Sequence, residues 1–483
     1  MLRHVHSPRY LAAFAILRTL RDAGHQAYFA GGCVRDLLLG DDPKDFDVAT
    51  SATPDQVVAL FPRTQAVGVH FGVILVLSDL STDVSEGKAD ASQPERIATE
   101  VATFRHDGVY SDGRRPDTVR YSTEAREDVQ RRDFTINGML LDPVVYQATR
   151  NLKLSVLDYV EGRKDLAAHT IRAIGDPATR FAEDKLRMLR AVRFAARLNF
   201  KIAPATLAAI RQQAESVTQV SRERIREELT RMLTDGHARR AFELLHDSRL
   251  LEHVLPEVTR LRGVAQPPQF HPEGDVWVHT LLLLEQFPTG VCPTLAWGAL
   301  LHDIGKPATY QPPDPAIPND RIRFNGHADV GARIAELLLE RLRFSREDID
   351  QIVALVKNHM RFADVEHMRE ATLKRFFRLP RFPEHLELHR IDCNAAHGDL
   401  RLYDFAKQRY ETATPEKIRP RLLVTGRDLI AAGYRPGTQF KQMLEAAEDA
   451  QLENQVTSRT EAMKLLRERF GAPPQAFSTL TSA

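Results

Sequence analysis

Two aspartates one residue apart, Asp45 and Asp47, are the first side chains whose type and spacing suggest a reaction. Residues two apart on a β-strand point to the same face, so a strand over residues 45–49 would project both carboxylates together. Such a pair is mutually repulsive unless a cation joins it. Mg²⁺ accepts carboxylate oxygens while keeping positions for substrate phosphates, and two such ions can hold the attacking and leaving oxygens of a phosphoryl transfer. We expect Glu100, at the start of a predicted strand over 100–104, to be a third acid.

A glycine pair precedes these acids, in a segment over residues 28–40 whose pattern predicts a strand, a turn and a helix. Glycine lets the backbone approach a ligand closely, and the N–H groups that open a helix suit a phosphate, so we expect Gly32 and Arg35 to contact one. A glycine pair alone usually marks a plain turn, and two aspartates alone could lie on a solvated strand face. Their combination favours a site for a metal and a phosphate.

A polar cluster follows in the segment Arg-Arg-Asp-Phe-Thr-Ile-Asn over residues 131–137. Arginine binds phosphate through its planar fork, and an aspartate or asparagine can hold a ribose hydroxyl. Arg132, Asp133 and Asn137 are therefore candidates for nucleotide binding. A surface cluster of ion pairs is the alternative.

An arginine-rich segment over residues 180–197 is predicted to be helical, with Asp184, Arg187, Arg190, Arg193 and Arg197 along one face. Like charges at this spacing repel one another, so an unpaired stripe favours a polyanion such as a triphosphate. Asp184 and Arg187 also have the acceptor and donor groups needed to read the Watson–Crick edge of a base.

The charge around this segment is unevenly distributed. Residues 171–235 hold 13 Lys and Arg against eight Asp and Glu, within a chain of net charge +1. Such a basic stretch would suit a surface that follows a phosphate backbone, although an ordinary solvated face has the same composition.

A second set of histidines and aspartates, which could bind metal, occurs in the order H…HD…H…H…D. Its members are His279, His302, Asp303, His327, His359 and Asp392. Imidazole and carboxylate together suit Mn, Fe, Ni, Mg or Zn. Any one of these histidines taken singly is more often structural, but the ordered set predicts a centre for divalent metal.

The elements that must position these residues follow from periodicity. We predict a helix over 10–24, strands over 27–30, 45–49, 73–77 and 100–104, and an almost wholly helical chain from about residue 158. Residues 78–95 are polar and predict a surface insertion. The Gly-, Asp- and Arg-rich segment 107–127 is long enough to indicate a functional loop.

Composition limits the class of protein. At 483 residues the chain is too long for one ordinary core, so we expect three or four units. No apolar run approaches the roughly 18 residues needed to span a bilayer, and the polar N-terminus resembles no signal peptide, so a cytoplasmic location is expected. Three widely spaced cysteines form no zinc or disulfide pattern.

In their order, the head motifs resemble those of class II tRNA nucleotidyltransferases. This family comprises the CCA-adding enzymes and bacterial poly(A) polymerases of the DNA polymerase β superfamily. The likeness covers residues 28–233 and is carried by Gly-Gly-x-Val-Arg-Asp, Asp-x-Asp, Arg-Arg-Asp-Phe-Thr-Ile-Asn, Glu-Asp-x-x-Arg and the helix over 221–229. Residues 422–437 resemble the C-terminal part of CCA-adding members. The only departures are Gly138, where alanine is usual, and the insertion at 78–95.

The resemblance implies an α+β fold. A small mixed-sheet head over 1–145 would precede a mostly helical neck over 146–262, an HD domain over 263–402 and a helical, tRNA-binding tail over 403–483. The head would resemble that of DNA polymerase β.

The resemblance also implies roles for the residues. Asp45 and Asp47 would bind catalytic Mg²⁺, and the helix over 221–229 would brace the turn that selects the nucleotide. The triphosphate would contact Gly32, Arg35, Arg132, Arg190 and Arg193. The sugar would contact Asp133 and Asn137, and the base would contact Asp184 and Arg187.

The implied reaction is attack by the 3′-hydroxyl of tRNA on the α-phosphorus of CTP or ATP, with pyrophosphate leaving. The loop over 107–127 matches an element that is shortened in CC-adding enzymes. An A-adding enzyme or a poly(A) polymerase shares every motif and stays an alternative. The second set resembles the HD phosphohydrolases, which implies two metals and action on a phosphate ester. A different alternative is an HD hydrolase with a non-catalytic, RNA-binding head.

Overall fold

The computed structural model of the chain describes residues 7–68, 72–79, 96–108, 118–269 and 271–473. Most of the predicted insertion at 78–95 and the centre of the predicted loop at 107–127 lie outside these residues. The chain divides into two compact units, Met1–Thr259 and Arg260–Ala483. The finer division into four parts stays a prediction.

A mixed sheet forms the centre of the first unit. Its strands are β1 (Ala27–Ala30), β2 (Asp47–Thr50), β3 (Thr64–Gly68), β4 (Val73–Asp79), β5 (Arg96–Thr103), β8 (Met139–Leu141) and β9 (Val156–Asp158), in the order β3-β4-β5-β2-β1-β8-β9. Two short pairs lie outside it, β6 (Arg105–Asp107) with β7 (Val119–Tyr121), and β10 (Thr170–Ile171) with β11 (Lys201–Ile202). Strand β2 is parallel to β5 and antiparallel to β1, which confirms the predicted mixed sheet.

Helices surround the sheet and make up most of the chain after it, as predicted. Those of the first unit are α1 (Pro8–Asp22), α2 (Gly32–Leu39), α3 (Pro54–Leu60), α4 (Ala125–Gln130), α5 (Pro143–Thr149), α6 (Leu152–Ser155), α7 (Gly162–Ala167), α8 (Pro177–Glu183), α9 (Leu186–Arg197), α10 (Pro204–Gln213), α11 (Arg222–Thr234), α12 (Ala238–Asp247), α13 (Leu251–Val254) and α14 (Pro256–Thr259). Short 3₁₀ helices lie at Thr135–Asn137 and Ala214–Gln219.

Several predicted boundaries shift. The first helix begins at Pro8 rather than residue 10, because Ser7 caps it by accepting from the Tyr10 N–H and proline is favourable at the first helical position. Strand β2 begins at Asp47, so the prediction that Asp45 lies on the strand is wrong. Strand β5 begins at Arg96, so Glu100 lies in its interior rather than at its start.

Aromatic packing attaches helix α1 to the sheet beneath the paired acids. The buried ring of Tyr10 contacts Phe29 of β1 and Phe46 edge-on, with centroid separations of 5.4 and 5.5 Å. Phe46 stands between the two aspartates and is 4% exposed. Its burial fixes the backbone from which both carboxylates project.

The hairpin of β4 and β5 is paired along its whole length. The antiparallel register runs from Val73 opposite Ala102 to Asp79 opposite Arg96. The chain between these strands therefore leaves and re-enters the sheet at directly opposed residues.

The second unit is helical in its described part. Its helices are α15 (Val276–Glu285), α16 (Pro293–Leu301), α17 (Lys306–Thr309), α18 (His327–Arg341), α19 (Arg346–Asn358), α20 (Glu370–Phe377), α21 (Phe382–Ala395), α22 (Arg401–Thr412), α23 (Pro415–Ile418), α24 (Gly426–Ala431), α25 (Thr438–Leu452) and α26 (Arg459–Phe470), with a 3₁₀ helix at His359–His367. One apolar cluster is centred on Phe362, Phe376 and Phe382, and another on Leu429 and Leu466. None of the helices in the described residues is long and apolar enough to cross a membrane.

Gly138 is closely packed at the start of β8. A Cβ built on it would lie 2.9 Å from both Ile174 Cδ1 and Val160 Cγ2. Neighbouring side chains thus fill the space that the alanine expected here from the resemblance would need.

We therefore expect Gly138→Ala to lower the free energy of unfolding by about 1–3 kcal/mol, the usual cost of overpacking. Chemical denaturation monitored by circular dichroism measures it. Gly437→Ala is the matched control, because its Cβ would have no neighbour within 4 Å. Equal stability of the two variants would contradict the prediction.

Candidate functional site

The pairing of β2 with β5 brings two of the three predicted acids together. Val48 is paired with Val101 in the parallel register, so Asp47 and Glu100, each one residue earlier, lie side by side on neighbouring strands. Burial, Glu100 and Asp45 raise the pKa of Asp47 to about 6, against the opposing effect of Arg132. Asp45 is exposed in the loop that precedes β2. The three carboxylates thus share one electrostatic environment, although Asp45 reaches it from a loop.

The guanidinium of Arg132 lies next to the glycine turn. Gly31 has φ 74°, a left-handed conformation that favours glycine, and a Cβ there would lie 3.2 Å from Arg132 Nη1. Gly32 is the first residue of α2. The N–H groups that open this helix and the Arg132 guanidinium therefore lie close together.

Arg35, in the same helix, is buried and faces the polar cluster of residues 131–137. It donates to Asn137 Oδ1 at 2.8 Å and to Asp36 Oδ1 at 2.7 Å. Asn137 in turn donates to Asp133 Oδ1 at 3.2 Å. Four of the predicted nucleotide-binding residues, Arg35, Arg132, Asp133 and Asn137, are thus gathered beside the paired acids.

The predicted unpaired arginine stripe is wrong, because each of its three central arginines has a carboxylate partner. Arg187 donates to Glu183 at 2.6 Å, Arg190 to Asp133 at 2.7 Å, and Arg193 to Glu228 at 2.6 Å. Acids from three other parts of the chain neutralise the stripe. Sequence alone could not show this, since two of the three acids lie more than 30 residues away.

The predicted continuous helix over 180–197 is also wrong. Helix α8 ends at Glu183, Asp184 has extended backbone, and α9 begins at Leu186. The Asp184 side chain accepts from the Leu186 N–H at 3.1 Å, a local bond that competes with helix continuation. Asp184 therefore lies at a joint between two helices, not on a helical face.

Helix α11 braces this joint. Arg224 donates to the Asp184 carboxylate at 3.0 Å, while Arg187 also donates to the Arg131 carbonyl at 3.1 Å. The predicted bracing by residues 221–229 agrees with this contact.

The six predicted metal ligands of the second unit converge. Asp392 Oδ1 lies 3.0 Å from His279 Nε2 and 3.8 Å from His302 Nε2. Asp303 Oδ1 lies 3.6 Å from His327 Nε2 and 3.8 Å from His359 Nε2. These six ligands form two groups with metal-binding spacing, His279–His302–Asp392 and Asp303–His327–His359, and His279 also belongs to a third group with His271 and Glu273.

The donor set fits divalent metal. Three of the four imidazoles hold Nδ1 within 2.9 Å of a backbone carbonyl three residues earlier, namely His302 to Ala299, His327 to Phe324 and His359 to Val356. Metal-binding histidines are usually fixed in this way, with the second nitrogen aimed at the ion. Lys306 Nζ lies 2.7 Å from Asp303 Oδ2, and the site opens into a cleft of about 1010 Å³.

The family models match each of these regions. Residues 27–172 match the poly A polymerase head domain, 199–261 the probable RNA and SrmB-binding site of polymerase A, and 293–393 the HD domain. A CCA-adding enzyme of Bacillus pumilus is 31% identical over 460 residues, which cover 94% of this chain and 95% of that protein. The chain belongs to the CCA-adding enzyme family.

Two further members of the CCA-adding enzyme family support the assignment. The Bacillus subtilis enzyme is 41% identical over 245 residues, 51% of this chain and 55% of that protein. The crystal structure of the Bacillus stearothermophilus enzyme in complex with CTP has 27% identity and a TM-score of 0.68, and the match covers 96% of this chain and 99% of that one.

Two acids of the first unit were missed from the sequence. Asp128 holds both Arg131 and Arg132, and its three- and four-residue spacing from them was a usable signal. Glu228 is one of three glutamates in α11, and nothing local distinguishes it.

The Arg193–Glu228 ion pair is buried on both sides, with each side chain 5% exposed. We expect Glu228→Gln to lower the free energy of unfolding by about 3 kcal/mol, because it leaves the Arg193 charge buried with a weakened partner. Urea denaturation measures the loss. Glu227→Gln, at the neighbouring exposed position of the same helix, is the control; an equally small effect at both positions would contradict the prediction.

Proposed function

We propose that the protein adds CCA to the 3′ end of tRNA from CTP and ATP, with Mg²⁺ held by Asp45 and Asp47 and with Glu100 as third acid. The observation that carries the proposal is the Asp47 carboxylate, half-buried beside Glu100 with a pKa raised to about 6. A divalent cation would offset both causes of this raised pKa, the burial of the carboxylate and its repulsion by Glu100 and Asp45. The tRNA-complexed and nucleotide-complexed relatives are CCA-adding enzymes of the same fold class.

Mg²⁺ bound there would supply a Lewis acid for the phosphoryl oxygens. Gly32, Arg35 and Arg132 would hold the triphosphate beside the acids, and Asp133 and Asn137 the sugar. Arg190 is 32% exposed and can contact phosphate while it stays near Asp133. We propose that Arg193, committed to Glu228, supports the site from behind instead of binding the triphosphate.

Asp184 and Arg187 are proposed to select cytosine and adenine. A carboxylate accepts from an exocyclic amine and a guanidinium donates to a ring nitrogen or oxygen, so the two together favour these bases over guanine and uracil. Arg224 and Glu183 hold them in place before the base arrives. The tRNA itself would be bound mainly through its backbone and shape.

The test is incubation of purified protein with CTP, ATP and a tRNA that ends before CCA. We expect incorporation of two cytidines and one adenosine, resolved on a sequencing gel. Asp47→Asn should lower the rate of nucleotide incorporation by more than about 100-fold. Loss of a residue that only positions a metal ligand lowers activity by up to about 100-fold, and loss of a ligand itself should cost more.

The alternatives give different products. Incorporation of adenosine alone would show that the protein is an A-adding enzyme. Long adenosine tails would show that it is a poly(A) polymerase. Asp22→Asn, at an acid on α1 outside the site, is the matched control for Asp47→Asn. Unchanged incorporation in Asp45→Ala would favour the non-catalytic head.

We also propose that the HD domain hydrolyses phosphate esters, as a phosphatase or a 2′,3′-cyclic phosphodiesterase, with Mn, Ni, Fe, Mg or Zn. The six converging ligands support two metals with Asp303 between the groups. Lys306 beside Asp303, together with Arg321 and Arg323 in the cleft lining, supplies cations for an anionic substrate. Metal there would supply an activated water and charge neutralisation.

His302→Ala and Asp303→Ala should each abolish two divalent-metal-dependent reactions: the opening of a nucleoside 2′,3′-cyclic phosphate to the phosphomonoester, and the release of phosphate from a 3′-phosphorylated RNA. CCA addition in the same preparations should persist, because the head carries its own acids. Metal-independent or absent hydrolysis in the unaltered protein would indicate that the HD domain is only a scaffold.

A further inference from the structure

One histidine of the HD centre is oriented differently from the other three. His302 and His359 directly follow helices and His327 begins one, and each places Nδ1 against a nearby backbone carbonyl. His279 lies inside α15, where such a carbonyl is not available. The Val276 carbonyl, three residues earlier, already accepts from the Thr280 hydroxyl at 2.8 Å.

A carboxylate takes the place of that carbonyl. Glu273 Oε1 lies 2.7 Å from His279 Nδ1 and 2.9 Å from His271 Nδ1, and the Glu273 side chain is 6% exposed. The loop that carries Glu273 is fixed on its far side, because Asp275 caps α15 by accepting from the Trp277 and Val278 N–H groups. Glu273 is therefore held against Nδ1 of an imidazole that has no backbone carbonyl available to it there.

The other ring nitrogen of His279 faces the proposed ion. His279 Nε2 lies 3.0 Å from Asp392 Oδ1, and both atoms belong to one group with metal-binding spacing. Glu273 at Nδ1 therefore contacts the ring from the side away from the ion.

We propose that Glu273 is a positioning residue of the HD metal centre: its carboxylate, 2.7 Å from His279 Nδ1, holds the imidazole so that Nε2 lies beside Asp392, where the ion would bind. This inference rests on the proposed metal centre. His271, which lines the cleft, contacts the same Glu273 oxygen and restrains the carboxylate from the substrate side.

The test is titration of the full chain with Ni²⁺ by isothermal calorimetry, because nickel favours imidazole and the acids of the head offer only oxygen. Glu273→Gln keeps the side-chain volume and removes the charge, and Glu273→Ala removes both. We expect each to weaken Ni²⁺ binding by about 10–100-fold, the usual effect of losing a partner that orients a metal ligand.

Glu384→Gln is the matched control. Glu384 is a half-buried carboxylate of the same domain that accepts from Thr294 at 2.7 Å and Gln351 at 3.2 Å and contacts none of the six ligands in the described structure. Its Ni²⁺ affinity should stay within about twofold of the unaltered protein, since no metal ligand loses its orientation. Circular dichroism checks that all variants keep their helix content.

Three outcomes would overturn the inference. Equal Ni²⁺ affinity of Glu273→Gln and the unaltered protein would remove the positioning role while leaving the metal centre intact. An equal loss of Ni²⁺ affinity in Glu384→Gln would show that removing any carboxylate of the domain weakens Ni²⁺ binding. Absence of Ni²⁺ binding in the unaltered protein would overturn this inference together with the proposed hydrolase, whereas CCA addition would be unaffected.

Discussion

The parallel pairing of β2 with β5 is the constraint on which the head depends. It joins Asp47 to Glu100 across 53 positions of sequence, so that two like charges lie side by side on neighbouring strands. Folding alone does not favour that arrangement, as the raised pKa of Asp47 shows. The cost is offset by the buried aromatic contacts of Phe46 and by the guanidinium of Arg132. The proposed metal-binding face is thus held in an electrostatically unfavourable state that a divalent cation would relieve.

Like charges are also brought together along α9, but there the charges are positive. Arg187, Arg190 and Arg193 would repel one another along α9, and three acids from separate elements remove that repulsion. Arg193 is buried with its partner, whereas Arg190 keeps a partly exposed guanidinium. The pairing therefore separates arginines that support the fold from those that can still meet a ligand.

The local parts of this architecture could be predicted from the sequence, and the relations between distant parts could not. The spacing of Asp45 and Asp47, the glycine turn and the order of the HD ligands are local or ordered signals, and the structure places each group together. The break at Asp184 escaped prediction because helical periodicity continues across it, and only a side-chain bond to Leu186 marks it. Glu228 acts across the fold, and a single sequence gives no register from which to infer its contact with Arg193. Glu273 lies close to His279 in the sequence, but it is in a loop, where no periodic pattern predicts which side chains meet.

The closed register of β4 and β5 has a practical consequence. Asp79 and Arg96 are directly opposed where the hairpin ends. The pairing with β4 alone therefore fixes the position of β5, the strand that carries Glu100. Changes in the length of that segment need not move Glu100, because added chain costs little in closure entropy once its ends are held together. This connection is therefore a suitable place to graft a reporter peptide or a fluorophore without moving the strand that carries Glu100.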